Sequence, residues 1–195
     1  MVASVVLLAG NSSRMGRPKQ HVLIGECSFL DYIVKALTCF RTEISPLIFI
    51  GQAGDLQARS QVIAGGGIWE VNEKPENGPL SSIHIALKFV PADCGFLLWP
   101  VDHPLVNVAT IRSLLDAVAA DPSRIVVPSF EGRRGHPTIF PSWTKSELLA
   151  APLEKGAKWV LEKHPGTINH VIVQDRWTRK NINTPELLRE ACRVD

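Results

Sequence analysis

The sequence predicts an α/β fold of three layers around a mostly parallel central sheet, and three observations carry that prediction. Short aliphatic runs recur at Ser4 to Leu8, Leu47 to Gly51, Ile68 to Asn72, Gly95 to Val101, Arg124 to Pro128 and His170 to Gln174. Segments with helical spacing of apolar residues separate them, the alternation expected when helices cover both faces of a parallel sheet. Behind the first run stands a cationic, glycine-containing loop, LLAGNSSRMGRPK (residues 7–19). Such loops lie outside the carboxyl ends of the strands, where open α/β sheets bind their ligands.

Each helix has its own justification. In SFLDYIVKALTCF, Ser28 is an N-cap with Asp31 three positions on, and Ile33, Val34, Leu37 and Phe40 make an apolar face. DLQARSQVIAG predicts a shorter helix. LSSIHIALKFV aligns Ile83, Leu87 and Val90, and VATIRSLLDAVAAD aligns Ile111, Leu114, Leu115 and Val118. AKWVLEKH and PELLREACRV complete the set, the second opening with Pro185 where a first helical turn tolerates it. From Pro128 to Pro141 the rhythm breaks at Gly132, Gly135, Pro137 and Pro141, which predicts an excursion carrying basic residues between turns. With no repeat, low-complexity tract or linker, the 195 residues read as one domain, 1–195.

Composition narrows the function classes. Apolar residues are 45% and charged residues 21%, the balance of an ordinary globular protein, and the formal net charge of +2 is too small for a general polyanion binder. Nucleic acid is thereby disfavoured as a partner. The longest apolar stretch near the N-terminus, Val5 to Ala9, is far short of a membrane span, so no membrane partner and a cytoplasmic location are expected. Cys27, Cys39, Cys94 and Cys192 form no CxxC pair, which excludes a zinc ribbon or redox motif; beside apolar neighbours they are expected to be buried, inert thiols.

The opening loop calls for an anion. Gly10 and Gly16 let the backbone turn tightly and approach a ligand closely, Arg14 can fork onto phosphate oxygens, and Lys19 adds a mobile point charge. Five residues separate the glycines and Gly16 is followed by Arg17, Pro18 and Lys19, so the loop is neither a Walker A sequence nor a G-x-G-x-x-G dinucleotide fingerprint. A solvated strand-to-helix turn is the bland alternative for the same residues.

The loop resembles the L-A-A-G-x-S-x-R-M-G-x-P-K signature of the MobA-like nucleotidyltransferases, particularly the molybdenum cofactor cytidylyltransferases, with Leu8 where that family usually has Ala. Further landmarks follow in order. NEKPENGPLSS (residues 72–82) resembles the stretch around nucleobase and ribose, with Glu73 in place of Pro; PVDHPLV resembles the strand end that carries a magnesium ligand; GRRGHP (residues 132–137) resembles the acceptor-side segment; and NINTPELL resembles a closing D-I-D-T-P-E-D-L, with Asn at both Asp positions.

This resemblance implies a Rossmann-like, nucleotide-diphospho-sugar transferase-like fold and transfer of a nucleoside monophosphate from an NTP to a phosphorylated acceptor, with release of pyrophosphate. It implies catalytic roles for Arg14, Lys19 and Asp102. Nucleotide binding falls to Leu8, Ala9, Gly10, Asn11, Ser12, Arg14, Lys19, Asn72, Gly78 and Ser82, and acceptor binding to Arg134, Gly135 and His136. Mg²⁺ would be held by Asp102 and Asn183, with Asn181 open as the alternative second ligand; a carbonyl oxygen is a workable donor to a hard cation. Ala9, where guanylyl relatives carry glycine, tilts the nucleotide toward CTP. The acceptor would be of the molybdopterin type, and transient contact with a molybdoenzyme is expected. The alternatives are a guanylyl or sugar-phosphate nucleotidyltransferase of the same fold, or a non-catalytic chaperone that holds a finished dinucleotide.

Several residues carry two readings. His103 and His136 both precede proline, without a second ligand at metal spacing, and read as turn residues or acceptor contacts. The five tryptophans are scattered, which favours packing over base stacking. Arg133, Arg134, Arg176, Arg179 and Lys180 are solvated charges or a binding site for the acceptor's phosphate.

Overall fold

A computed structural model describes residues 1–10 and 16–193. In chain order the elements are β1 (Val2–Leu7), β2 (Leu23–Ile24), β3 (Cys27–Ser28), α1 (Phe29–Thr38), β4 (Ile44–Gly51), α2 (Leu56–Ala64), β5 (Ile68–Val71), α3 (Pro79–Leu87), β6 (Gly95–Pro100), α4 (Val108–Ala120), β7 (Ile125–Phe130), β8 (Arg133–Arg134), β9 (Thr138–Phe140), α5 (Thr144–Ala150), α6 (Lys158–Lys163), β10 (Ile168–Ile172) and α7 (Pro185–Ala191). The eight-stranded sheet runs β10-β7-β9-β6-β1-β4-β5, with β8 paired to β7. Strand β1 is parallel to β4 and β6, β4 to β5, and β10 to β7. A second, two-stranded sheet pairs β2 with β3.

Alternation along β1 explains the three layers. Val2 and Val6 face one side, where they share a core with Phe29, Leu30 and Ile33 of α1, Val62 of α2 and Ile111 and Leu114 of α4. Ala3 and Val5 face the other, packing with Leu80 and Ile83 of α3, Leu148 of α5 and Val160 of α6. Each fully buried Leu, Ile or Phe in these faces contributes about 1.5–3 kcal/mol relative to exposure. The predicted cap of α1 is present in full: Ser28 Oγ accepts from the Asp31 N–H at 3.1 Å, and an Asp31 carboxylate oxygen accepts from the Ser28 N–H at 2.7 Å. Among the described residues no helix is long and apolar enough to cross a membrane.

The structure adds helix α5 and the β2–β3 pair, which the sequence pattern did not announce, and departs from expectation in two further places. The excursion between Pro128 and Pro141 contains a fully buried strand, β9, inserted antiparallel between β6 and β7. Three residues bounded by Pro137 and Pro141 are too few to show a period of two, so the strand left no pattern to read. The expectation of buried thiols also fails: Cys39 and Cys192 are exposed, while Cys27 and Cys94 are partly exposed. Cys39 and Cys192 are the C-cap residues of α1 and α7, each beside a buried apolar neighbour, Phe40 and Ala191, that occupies the inward face.

Candidate functional site

Parallel strands deliver the site. β1 ends at Leu7 and passes into Ala9 and Gly10, while its neighbour β6 ends at Pro100, two residues before Asp102. The loops leaving these two strands bound a cleft of about 390 Å³. Lys19, at the start of a short 3-10 turn (Lys19–His21), enters this cleft, and its Nζ donates to Asp102 Oδ2 at 3.0 Å. Both side chains are about one-fifth exposed. Two residues 83 positions apart are thus brought into contact, as a shared anion and cation site requires.

The remaining predicted nucleotide residues distribute unevenly. Ala9, Gly10, Gly78 and Ser82 line the cleft with Lys19 and Asp102. Gly78 holds φ at +82°, a conformation that favours glycine, and it starts α3 without any side-chain cap. Asn72 lies behind the wall: its amide donates to Ser81 Oγ and Ser82 Oγ, both at 2.8 Å, and its carbonyl accepts from the Lys74 N–H at 2.9 Å. It shapes the cleft edge through the serines. Leu8 is in the core at 1% exposure, with its N–H donated to the Ile50 carbonyl, so its side chain faces away from any nucleotide. Asn11, Ser12 and Arg14 lie outside the described residues.

On the far side, Asn181 lines the cleft together with Asp102. The Ile182 N–H donates to the Asp102 carbonyl at 2.7 Å, which pins the closing segment to the acidic strand end. Ile182 is buried, and Asn183 beyond it is half-buried. Among the described residues no group of three or more His, Cys, Asp or Glu side chains could hold a metal ion. One carboxylate with a neighbouring amide still fits Mg²⁺, which is commonly held through one or two carboxylates plus substrate phosphates.

A second compartment of about 400 Å³ adjoins the first, sharing Leu7, Pro79, Pro100 and His136. Its floor is apolar, with Ile83, Leu98, Val127 and Phe140, and its rim carries Arg134, Lys155 and Lys158. The predicted acceptor residues Arg134, Gly135 and His136 therefore do come together. Gly135 is required by a close approach: a Cβ there would stand 2.5 Å from the Thr178 carbonyl oxygen. The His136 N–H donates to that same carbonyl at 2.7 Å, and the Gly135 N–H to the Pro128 carbonyl at 2.9 Å.

His103 and His136 are more than turn residues. Their rings lie 4.9 Å apart, between the two compartments. His103 is buried; its Nδ1 donates to the Trp177 carbonyl at 3.2 Å, and its Nε2 stands 3.9 Å from Asp102. Burial lowers the affinity of His103 for a proton, against the opposing pull of Asp102. His136 is pushed down to about 4, by burial first and then by His103. Both rings are neutral near pH 7. Of the other cations considered, Arg176 and Lys180 pair with Glu190 and lie over the Trp177 ring.

Two supporting carboxylates escaped sequence reasoning. Asp175, 3% exposed, accepts from the Asn107 N–H and Thr110 Oγ1 at 2.8 Å and from the Trp177 N–H at 3.0 Å. It thereby ties the start of α4 to the turn (Arg176–Thr178) that holds His103 and His136. Asp55 caps α2 and also contacts Gln20 and His21. Burial opposes its charge, but bonds from Gln20, the Ala58 N–H and His21 outweigh that and hold its carboxyl below the usual range. The helix-start position of Asp55 is legible in DLQARSQVIAG; its long-range partners are not.

Comparison with known proteins identifies the family and supports the fold. The model of the MobA-like NTP transferase domain matches residues 4–168, and the chain belongs to that family. A protein of Bacillus mycoides (strain KBAB4) named "Probable molybdenum cofactor guanylyltransferase" is 28% identical over 132 residues, covering 68% of this chain and 64% of that protein. The chain thus spans about 64% of the length of the curated relatives it matches. Among solved structures, Rv0371c from Mycobacterium tuberculosis H37Rv superposes over 100% of both chains with a TM-score of 0.82 at 22% identity. The same protein in complex with manganese gives 0.78 at 24% identity, over 100% of this chain and 99% of that one. At these identities the two structures share the fold.

Proposed function

We propose that the protein is a divalent-metal-dependent nucleotidyltransferase that moves CMP from CTP to a phosphorylated acceptor of the molybdopterin type. The contact between Lys19 and Asp102 at the ends of adjacent parallel strands carries this reading. In the reaction an acceptor phosphate oxygen attacks the α-phosphorus of the NTP, a new P–O bond forms, and the bond to the β-phosphate breaks with its electron pair leaving on pyrophosphate. Such chemistry needs little covalent help and depends on positioning and charge neutralisation.

Placement around the cleft supports a division of labour. Ala9 and Gly10 give the triphosphate close backbone access, Lys19 neutralises its charge and that of departing pyrophosphate, and Gly78 and Ser82 border the nucleoside. Arg14, Asn11 and Ser12 of the signature loop, which lie outside the described residues, would serve the same nucleotide. Asp102, with Asn183 or Asn181, would hold Mg²⁺ or Mn²⁺, which when bound supplies Lewis-acid neutralisation of phosphate oxygens. The relative crystallised with manganese supports a divalent ion here. Asp102 would hold the divalent ion when one is bound, and Lys19, which donates to Asp102 in this structure, would then be available to the phosphates. The neighbouring compartment, apolar in its floor and cationic at its rim, suits a flat acceptor with an anionic arm. The product would be consumed by a molybdoenzyme through transient contact in the cytoplasm.

A second reading uses GTP, favoured by the printed names of the relatives. Purified protein is to be incubated with Mg²⁺ or Mn²⁺, a phosphorylated pterin acceptor and each of the four NTPs, while pyrophosphate is measured. Release with CTP above all supports the first reading, and release with GTP above all supports the second. Tight dinucleotide binding without release from any NTP would mean a chaperone, and would sink both.

A further inference from the structure

The loop between β4 and α2 touches both ends of the cationic loop. At the loop's start, Gln52 Nε2 donates to the Ala9 carbonyl at 3.2 Å. At its far end, Asp55 accepts from Gln20 Nε2 at 2.5 Å through one oxygen and meets His21 Nε2 at 2.8 Å through the other. The Asp55 N–H donates to the Gln52 carbonyl at 3.2 Å, so the two clamps are one unit. Gln20 is 2% exposed and immediately follows Lys19, and the 3-10 turn closes with the Val22 N–H on the Lys19 carbonyl at 3.0 Å.

From this arrangement we infer that Gln52 and Asp55 act as positioning residues, stapling the two ends of the cationic loop so that Lys19 is held at Asp102. Asp55 need not touch substrate to do so. Its oxygens are occupied by Gln20, His21 and the Ala58 N–H, and its influence reaches the cleft through the backbone of residues 19–21. Fixing a charged group before the reaction lets its charge act without reorganisation, and loss of that fixation lowers turnover even when the group itself remains.

Asp55→Ser isolates the effect, because serine still caps α2 from the same position but is too short to reach Gln20 and His21. Gln20→Met removes one arm at similar volume without touching the cap, and serves if Asp55→Ser unfolds. The first measurement is hydrogen exchange of the nucleotide-free chain. Peptides covering residues 19–24 are expected to exchange at least about tenfold faster in either variant, with those of α2 changing less than about threefold. Unchanged exchange at 19–24 overturns the inference.

The second measurement is a double-mutant cycle with Lys19→Ala, and it alone rests on the transferase reading. Asp55→Ser is expected to lower kcat/KM about tenfold in the parent and less than about twofold on the Lys19→Ala background. Equal losses in both backgrounds overturn the inference while leaving the transferase reading intact. If the parent turns over no NTP, the transferase reading fails and the exchange result still decides the staple.

Discussion

Lys19 and Asp102, 83 residues apart, meet at 3.0 Å where β1 and β6 release the chain side by side. Each side chain is only about one-fifth exposed, so the pairing offsets part of the hydration each has lost. The pair places one charge of each sign at the mouth of the two strands.

Lys19→Ala is expected to reduce turnover by about 10²- to 10³-fold, the range for losing one preorganised charge contact. Steady-state pyrophosphate release checks it. A loss confined to KM would mean that Lys19 binds substrate and transition state alike.

Gly135→Ala places a methyl 2.5 Å from the Thr178 carbonyl oxygen, a backbone atom that cannot rotate away. Overpacking of this kind costs about 1–3 kcal/mol, and here it also displaces His136 from the shared wall. Chemical denaturation is expected to show the stability loss, and kinetics a raised KM for acceptor with that for NTP nearly unchanged. An unaltered acceptor KM would remove the 134–136 segment from the acceptor site.

Asp175→Ala strands three donors: the N–H groups of Asn107 and Trp177 and the hydroxyl of Thr110. The Trp177 carbonyl and its neighbour Thr178 orient His103 and His136, so the damage extends to the cleft. A destabilisation of about 2–4 kcal/mol is expected in urea titration, with Asp175→Asn milder because an amide oxygen still accepts. Equal losses for the two variants would contradict this account of the hub.

His136 sets a pH dependence. In the unfolded chain a histidine titrates near 6.5, and in the fold His136 titrates at about 4. The unfolded state therefore binds more protons between these values. Stability from this group is fully present above about 6.5, falls as pH drops toward 4, and levels off below, a loss on the order of 3 kcal/mol at most. His103 is shifted in the same direction. His136→Gln should flatten thermal-melt curves between pH 6.5 and 4; a parent-like slope in that variant would assign the acid sensitivity elsewhere.

Much of the architecture was legible because the strands are buried on both faces and read as aliphatic runs, and because caps such as Ser28 with Asp31 are local. The cationic loop stood out by composition and Asp102 by resemblance to a family motif, and the structure brings Lys19 and Asp102 into contact. What could not be read depended on long-range geometry. Strand β9 is three residues between prolines, and its place between β6 and β7 is a property of the sheet. The contacts of Asp55 with Gln20 and of Asp175 with Asn107 span 35 and 68 positions, distances over which side-chain spacing has no period. Leu8 shows the converse limit: a motif position can be filled by a residue whose side chain faces the core.

Calorimetric titration of CTP and GTP with and without Mn²⁺ asks whether Lys19 and Asp102 converge on one metal-bound triphosphate. The parent protein should bind its preferred nucleotide at least about tenfold more tightly with the metal, Asp102→Asn should lose that enhancement, and Lys19→Met should weaken binding under both conditions. Retention of the full metal enhancement by Asp102→Asn would contradict that convergence.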